Sequence, residues 1–159
     1  MDSGRLFCIR PFIATDAEGC LNLFRETVRR INARDYSAEQ IRVWAPEDAD
    51  VDAWRNRFNG RFAYVACEAD SIVGFADMTR DGHLDRLFVS ADHQRQGIAR
   101  RLMERLIQDA MQQNCDRITT ESSVTAKPFF LAAGFRVLEQ QSVLRQGVSL
   151  VNYKMQRSL

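Results

Sequence analysis

Leu87-Phe88-Val89-Ser90-Ala91-Asp92-His93-Gln94-Arg95-Gln96-Gly97-Ile98-Ala99-Arg100-Arg101 is the most informative stretch of the chain. The apolar triplet 87–89 reads as the end of a strand, the polar run after it as a short loop, and Gly97 as the entry to a helix. The first turn of a helix has unpaired N–H donors and the positive end of the helix dipole, so such a corner can cradle an anion. Gly97 and Ala99 keep bulky side chains away from those donors, while Arg95, Arg100 and Arg101 add positive charge nearby. The same residues also suit a plain strand–loop–helix corner in which Gly97 serves close packing. Two phosphate-binding classes are excluded. The loop lacks the Gly-Lys-Ser/Thr of a nucleoside triphosphatase and the Gly-x-Gly-x-x-Gly of a dinucleotide site, and its strand follows a hairpin instead of opening a βαβ unit.

Working outward from this stretch gives the fold. Downstream, residues 97–114 carry Ile98, Leu102, Met103, Leu106, Ile107, Ala110 and Met111 as one apolar helical stripe. Residues 117–122 read as a strand and 126–133 as a short helix ended by Gly134. Strands 135–145 and 148–155 flank a Gln146-Gly147 turn. Upstream, strands 61–69, 72–79 and 83–89 are joined by Ala69-Asp70-Ser71 and by Asp81-Gly82. Residues 5–10 form a first strand ended by Pro11. Thr15-Asp16-Ala17-Glu18 is a capping box opening a helix with Leu21, Phe24, Val28 and Ile31 inward. Ser37-Ala38-Glu39-Gln40 is a second, starting a short helix through Ile41 and Trp44 that stops before Pro46. Residues 52–58 form a third helix with Trp54 and Phe58 on one face. The order is that of a single α+β domain over residues 1–159: a mixed, mostly antiparallel sheet of about seven strands flanked by helices.

Composition bounds the partners. At 159 residues, with 45% hydrophobic and 27% charged, the chain has an ordinary globular make-up that supports one core. No apolar run approaches the roughly 20 residues that span a bilayer, and Met1-Asp2-Ser3-Gly4 lacks an apolar signal core, so neither membrane nor export is expected. The 22 basic and 21 acidic residues leave a net charge of +1, which argues against a broad nucleic-acid footprint. Cys8, Cys20, Cys67 and Cys115 are scattered and form no Cys-x-x-Cys pair, and there are only two histidines. No metal site or disulfide framework is expected; the cysteines read as small core residues in a reducing cytoplasm.

At Gln94-x-x-Gly97-x-Ala99 the sequence resembles the Gln/Arg-x-x-Gly-x-Gly/Ala signature of GNAT acyltransferases. Ala126-Lys127-Pro128-Phe129-Phe130 through Gly134-Phe135 is similar to that family's later helix-to-strand element, and the order of elements is similar from end to end. More narrowly, Tyr36-Ser37-x-x-Gln40-x-x-x-Trp44 with Thr125 to Phe130 resembles the bacterial YafP-type subgroup. The resemblance implies acetyl-CoA as co-substrate and no metal. It implies a pyrophosphate on the backbone amides of Arg95, Gln96, Gly97, Ile98, Ala99 and Arg100, with Gln94 leading into them. The fourth and fifth strands would splay, and pantetheine would pair with the freed edge beyond Leu87, with Phe88 and Val89 giving main-chain groups. Phe129 and Phe130 would flank the thioethylamine end.

Catalysis in this family is direct attack of an amine on the thioester in a ternary complex. Holding the reactants in register is worth about 7–11 kcal/mol, and the Val89 N–H is the candidate donor to the oxyanion. The sequence departs from the family at the acid. Phe130 stands where many members have tyrosine, and Ser123 where an asparagine precedes the helix. Ser123 or a water donates the proton, or the thiolate leaves unprotonated; Ser123 equally suits a cap for the helix at Ala126. For the base, simple alternation sets His83, Asp85 and Leu87 on one face, and Glu121 ends the facing strand. Asp85 occupies a position often acidic in the family, His83 has an imidazole suited to neutral pH, and each of the three also suits a structural or solvated role. Tyr36, Trp44 and Trp54 are candidates for an aromatic acceptor wall or for core anchors, and Asp48, Asp50 and Asp52 for a solvated face. The expected function is N-acetylation of a small-molecule amine. A protein or peptide acceptor, or a non-catalytic acyl-CoA sensor, is the alternative, and a homodimer is left open.

Overall fold

A computed structural model describes residues 6–159. The polar Met1-Asp2-Ser3-Gly4 start and Arg5, read above as a strand residue, lie outside the described residues. The strands are β1 (Cys8–Pro11), β2 (Phe62–Glu68), β3 (Ser71–Met78), β4 (His83–Val89), β5 (Arg117–Ser123), β6 (Arg136–Arg145) and β7 (Val148–Ser158). They form one sheet in the order β1-β2-β3-β4-β5-β7-β6. Every pairing is antiparallel except β4 with β5, which is parallel. The helices are α1 (Ala17–Arg30), α2 (Ala38–Trp44), α3 (Val51–Asn56), α4 (Ile98–Gln112) and α5 (Lys127–Ala132).

Strand alternation sends the sheet's side chains into two cores. Tyr64, Ala76, Met78 and Ile118 meet Leu102 and Leu106 of α4, with Phe130 of α5 in the same cluster. Val65 and Phe75 face the other way, toward Leu21, Phe24 and Val28 of α1 and Trp54 of α3. Helix α4 lies so close to β3 that a Cβ on Gly74 would stand 2.9 Å from Ile98 and 3.2 Å from the Phe88 carbonyl. Only glycine fits there.

The helix starts follow side-chain chemistry. Ser37 Oγ accepts from the Gln40 N–H at 3.2 Å, and Gln40 Oε1 accepts from the Ser37 N–H at 2.8 Å, which is the expected capping box. At α1 the expected box at Thr15 does not form. Asp16 stands at the N-cap without a side-chain bond to the helix; its carboxylate reaches back to accept from the Ile13 N–H at 2.9 Å and from both Arg10 terminal nitrogens at 2.8 and 2.9 Å. A single turn at Ala14–Asp16 precedes the helix. Helix α3 opens at Val51, capped by Asp50, whose Oδ1 accepts from the Asp52 and Ala53 N–H groups. Cys20 and Cys67 are buried, while Cys8 is exposed on the edge strand, contrary to its reading as core.

Asp16 carries a stability prediction. Burial raises its pKa, but the Arg10 hydrogen bonds and the Ile13 N–H outweigh that, so it titrates below the ordinary carboxylate range. A carboxyl depressed in the folded state stabilises above its unfolded pKa, and that contribution disappears as pH falls through its folded value. Asp16→Asn should therefore cost about 2 kcal/mol at pH 7, the scale of charged hydrogen bonds. In urea unfolding the gap from wild type should close below pH 4, and equal midpoints at pH 7 would remove the ion pair from the account.

The feature that makes a site is the join of β4 and β5. They pair over only His83↔Thr119 and Leu84↔Thr120, and Thr120 Oγ1 donates to the Leu84 carbonyl at 2.9 Å. Beyond that point the strands part, as the splay expected for the fourth and fifth strands requires.

Candidate active site

The gap opens into a cleft of about 790 Å³ running from the N-terminus of α4 to α2, α3 and β7. Of the site residues expected from sequence, Gln96 is the one that does not line it.

At one end is the glycine loop. Ser90 Oγ accepts from the Asp92 N–H at 3.3 Å, shaping a turn at Ala91–His93. The Gln94 side-chain amide donates to the Val89 and Ser90 carbonyls at 2.9 and 3.0 Å, so Gln94 braces the loop. Arg30 clamps it from α1 through two hydrogen bonds to Asp92, at 2.8 and 3.2 Å. Arg95 and Gly97 both adopt left-handed backbone, at φ 60° and 82°. The first helical bond is Arg101 N–H to the Gly97 carbonyl, which leaves the N–H groups of Ile98, Ala99 and Arg100 without helical acceptors. A Cβ built on Gly97 meets no atom within 4 Å. The loop thus frames open space beneath three free donors, a fit for a pyrophosphate.

In the middle, the freed edge of β4 has a definite phase. The Ser90 N–H bonds to the Val73 carbonyl at 2.8 Å, so Ser90 and, by alternation, Phe88 and Arg86 turn their main chains toward β3. Leu87 and Val89 turn theirs toward the gap. Phe88, expected to offer main-chain groups to the gap, turns them to β3, and Leu87 faces the gap in its place; the Phe88 ring packs on Phe75 and Phe24, at centroid distances of 5.7 and 5.0 Å. The Val89 carbonyl already accepts from Thr27 Oγ1 and Gln94 Nε2, at 3.1 and 2.9 Å. Its N–H remains for a ligand. Phe130 is buried between Phe129 and Phe135, with ring centroids 5.4 and 5.1 Å away.

Ser123 lies at the end of β5, where its Oγ accepts from the Ala126 N–H at 3.0 Å and from Asn32 Nδ2 at the long distance of 3.5 Å. It braces the start of α5, and its own hydroxyl proton is left for a third partner.

Three candidate bases fall into two environments. The β3–β4 register shifts between Asp77 and Met78, and Asp85 has no partner in it; the bulge breaks simple alternation. Asp85 consequently joins Arg86 and Asp77 on the α3 side, while Leu87 packs with the α4 core. Leu84, packed in the α4 core, separates His83 and Asp85 on the α3 side, so of the predicted common face of His83, Asp85 and Leu87 only Leu87 is lost. Arg61 Nη1 donates to Asp85 Oδ2 at 2.6 Å, and Arg57 is 3.7 Å away. Burial raises the Asp85 pKa, but its bond to Arg61 and the charges of Arg61, Arg86 and Arg57 more than reverse this. His83 lines the cleft, with Nδ1 2.8 Å from Thr119 Oγ1 and Nε2 outside that contact. Glu121 is exposed, two residues along β5 from Thr119 and on the same face.

At the far end, Tyr36 joins three elements: its hydroxyl donates to the Val151 carbonyl at 2.6 Å and accepts from the Val124 N–H at 2.9 Å. Trp44 meets the Tyr36 ring edge-on at 5.2 Å. Trp54 is the buried floor, packed among Phe24, Phe58 and Phe75. Asp52 stays on the surface, in an ion pair with Arg55. Of the charged cluster around Asp85, Arg57, Arg61, Asp77 and Arg86 were missed in the sequence. The cluster's one signal was Asp77 and Arg86, charges placed inside otherwise apolar strands.

Among the described residues no helix is long and apolar enough to cross a membrane, and no group of three or more His, Cys, Asp or Glu could hold a metal. Residues 32–157 match the family model for the acetyltransferase (GNAT) domain. The chain is 30% identical over 147 residues to the uncharacterized N-acetyltransferase YafP of Escherichia coli strain K12, covering 92% of this chain and 93% of that one. A GCN5-related N-acetyltransferase from Rhodopseudomonas palustris superposes with a TM-score of 0.92 at 28% identity, over 96% of this chain and 95% of that one. The PaiA N-acetyltransferase of Thermoplasma acidophilum, solved in complex with coenzyme A, shares the fold with a TM-score of 0.79 at 17% identity, over 97% and 99%. With a parted β4–β5 pair beneath a free helix N-terminus, and with a family match across most of its length, the chain belongs to the GNAT family of acetyl-CoA-dependent N-acetyltransferases.

Proposed function

We propose that the protein transfers the acetyl group of acetyl-CoA to the amine of a small molecule, by direct attack within a ternary complex. The observation that carries this reading is the cleft itself, with an anion cradle at one end and a walled chamber at the other. The chamber is bridged at its α2–β7 side: Gln40 Nε2 donates to the Ser149 carbonyl at 2.8 Å, and Tyr36 ties α2's entry to β7. That favours a compact acceptor. The reading sets the reaction in the cytoplasm, in keeping with four unpaired cysteines.

The amides of Ile98, Ala99 and Arg100 hold the pyrophosphate, and the Leu87 edge pairs with the pantetheine arm. The Val89 N–H, fixed by the β3 ladder and by the Thr27 and Gln94 bonds on its own carbonyl, donates to the developing oxyanion. Ser123 passes its proton to the departing thiolate as it takes another from solvent in the cleft, so that no alkoxide is left behind. Asp85, held ionised among arginines, is a weak proton acceptor, so the base is His83 through Nε2, with Glu121 on the same face relaying the proton to solvent.

The test is acetyl-CoA binding together with thiol release over a panel of small amines and peptides. Acceptor-dependent release with small amines is expected; release with peptides alone would favour a protein acetyltransferase, and tight binding without release a sensor. His83→Gln should lower kcat at least tenfold and remove the acid limb of the pH–rate profile. Asp85→Asn should keep that limb; its loss there would return the base to Asp85.

A further inference from the structure

Beneath the acceptor end of the cleft lies a charge arrangement that N-acetyl transfer does not need. Arg86 is 5% exposed. Its Nε and Nη2 bond to the fully buried Asp77 at 2.9 and 2.5 Å. Its guanidinium stacks on Phe58 and Trp54, 4.1 and 4.6 Å from the ring centroids. Its third nitrogen, Nη1, has no partner, and neither has the buried Nε1–H of Trp54. Both side chains line the cleft.

Charge points the same way. Arg61 bridges Asp77 and Asp85 at 3.1 and 2.6 Å, and Arg57 stands 3.7 Å from Asp85 with its Cζ 5.5 Å from the Trp54 ring. Three guanidiniums face two carboxylates, so the cluster carries one uncompensated positive charge. Burial and the neighbouring Arg86 charge lower the Arg57 pKa, a repulsion that an anion would relieve. A buried donor without an acceptor is costly, and here two lie side by side, one of them cationic. A bare amine brings nothing for either.

We propose that the acceptor carries a carboxylate beside its amine, and that Arg86, Trp54 and Arg57 form its subsite. This rests on reading the cleft as the acceptor chamber of an N-acetyltransferase. One carboxylate oxygen accepts from Arg86 Nη1 and the other from Trp54 Nε1, with small side-chain adjustments, while Arg57 closes over them from the rim. The substrate class is that of amino-acid-like amines.

The experiment compares matched amines that differ only in a carboxylate: an amino acid, its primary amide, and the amine lacking the group. The carboxylated member should have at least a tenfold higher kcat/KM, carried by KM. Arg57→Gln and Arg86→Lys should each narrow that gap severalfold while leaving the KM for acetyl-CoA unchanged. Arg57→Gln keeps the test valid if Arg86→Lys fails to fold with Asp77 buried. In parallel, binding of the N-acetylated amino acids is followed by tryptophan fluorescence in wild type and Arg57→Gln, where affinity should fall severalfold. Turnover without carboxylate preference would overturn the subsite alone. Carboxylate binding lost in Arg57→Gln but without turnover would keep the subsite and sink the transfer reading, and neither binding nor turnover would sink both.

Discussion

Gly97→Val should weaken acetyl-CoA binding at least tenfold while the protein stays folded. Two effects act at this position, and the structure separates them. The first is conformational: at φ 82° a β-branched side chain is strained, by roughly 1–3 kcal/mol. The second is steric, and it concerns the ligand rather than the protein, because a Cβ at Gly97 meets no protein atom within 4 Å. Valine methyls would enter the space into which the N–H groups of Ile98, Ala99 and Arg100 point. Gly97→Ala carries most of the backbone strain without those methyls. The alanine variant should lose a similar amount of thermal stability but only a few-fold in affinity. Calorimetric titration of both variants with acetyl-CoA, beside their melting curves, decides the matter. Equal affinity in Val and Ala would mean that strain alone acts, and the cradle assignment would fall.

Most of the fold was legible because the strands and helices announce themselves by period. Six of the seven apolar residues read as one stripe on helix α4 pack inward, Met111 at its end being exposed, and the hairpins are punctuated by Ala69-Asp70 and Asp81-Gly82. The geometry of the glycine loop was legible for a related reason: free main-chain donors follow from where a strand stops and a helix starts. What sequence could not give were features that depend on a partner. The bulge at Asp85 exists only in the β3–β4 register, and it sends Leu87 to the α4 side, away from the face that alternation shares with Asp85. Arg86 was read as one more strand residue because its stacking on Trp54 and Phe58 joins segments about thirty residues apart, a relation no local period carries. The start of α1 failed likewise. Thr15 has the right neighbours for a capping box, but the single turn at Ala14–Asp16 moves the helix start past it, and Arg10 on β1 holds the Asp16 carboxylate back against that turn.

The second large effect is expected at Ser123, where Ser123→Ala should lower the single-turnover rate of acetyl transfer tenfold or more. Phe130 offers no proton: it is an apolar ring buried between Phe129 and Phe135. Ser123 accepts a firm hydrogen bond from the Ala126 N–H and a long one from Asn32, and both leave its proton outward in the cleft. Donors onto a hydroxyl oxygen stabilise developing negative charge there, so the pair also eases proton release. General acid catalysis by a placed group is worth about 10²–10⁴-fold, which sets the ceiling for the loss. The Ala126 bond has a separate, structural value of about 1 kcal/mol, so a melting shift of that size is expected beside the rate loss. A leaving group tells the two apart. With an acyl donor whose thiol is more acidic, the thiolate departs without help, and the Ser123→Ala defect should shrink towards wild type. A defect that persists undiminished would show that Ser123 only positions α5. Phe130→Tyr completes the comparison: with Ser123 present, the new phenol should add less than twofold to the rate and destabilise the packed ring cluster by roughly 1–3 kcal/mol. A tenfold gain from that tyrosine would mean that the native site has no acid, and Ser123 would lose the role.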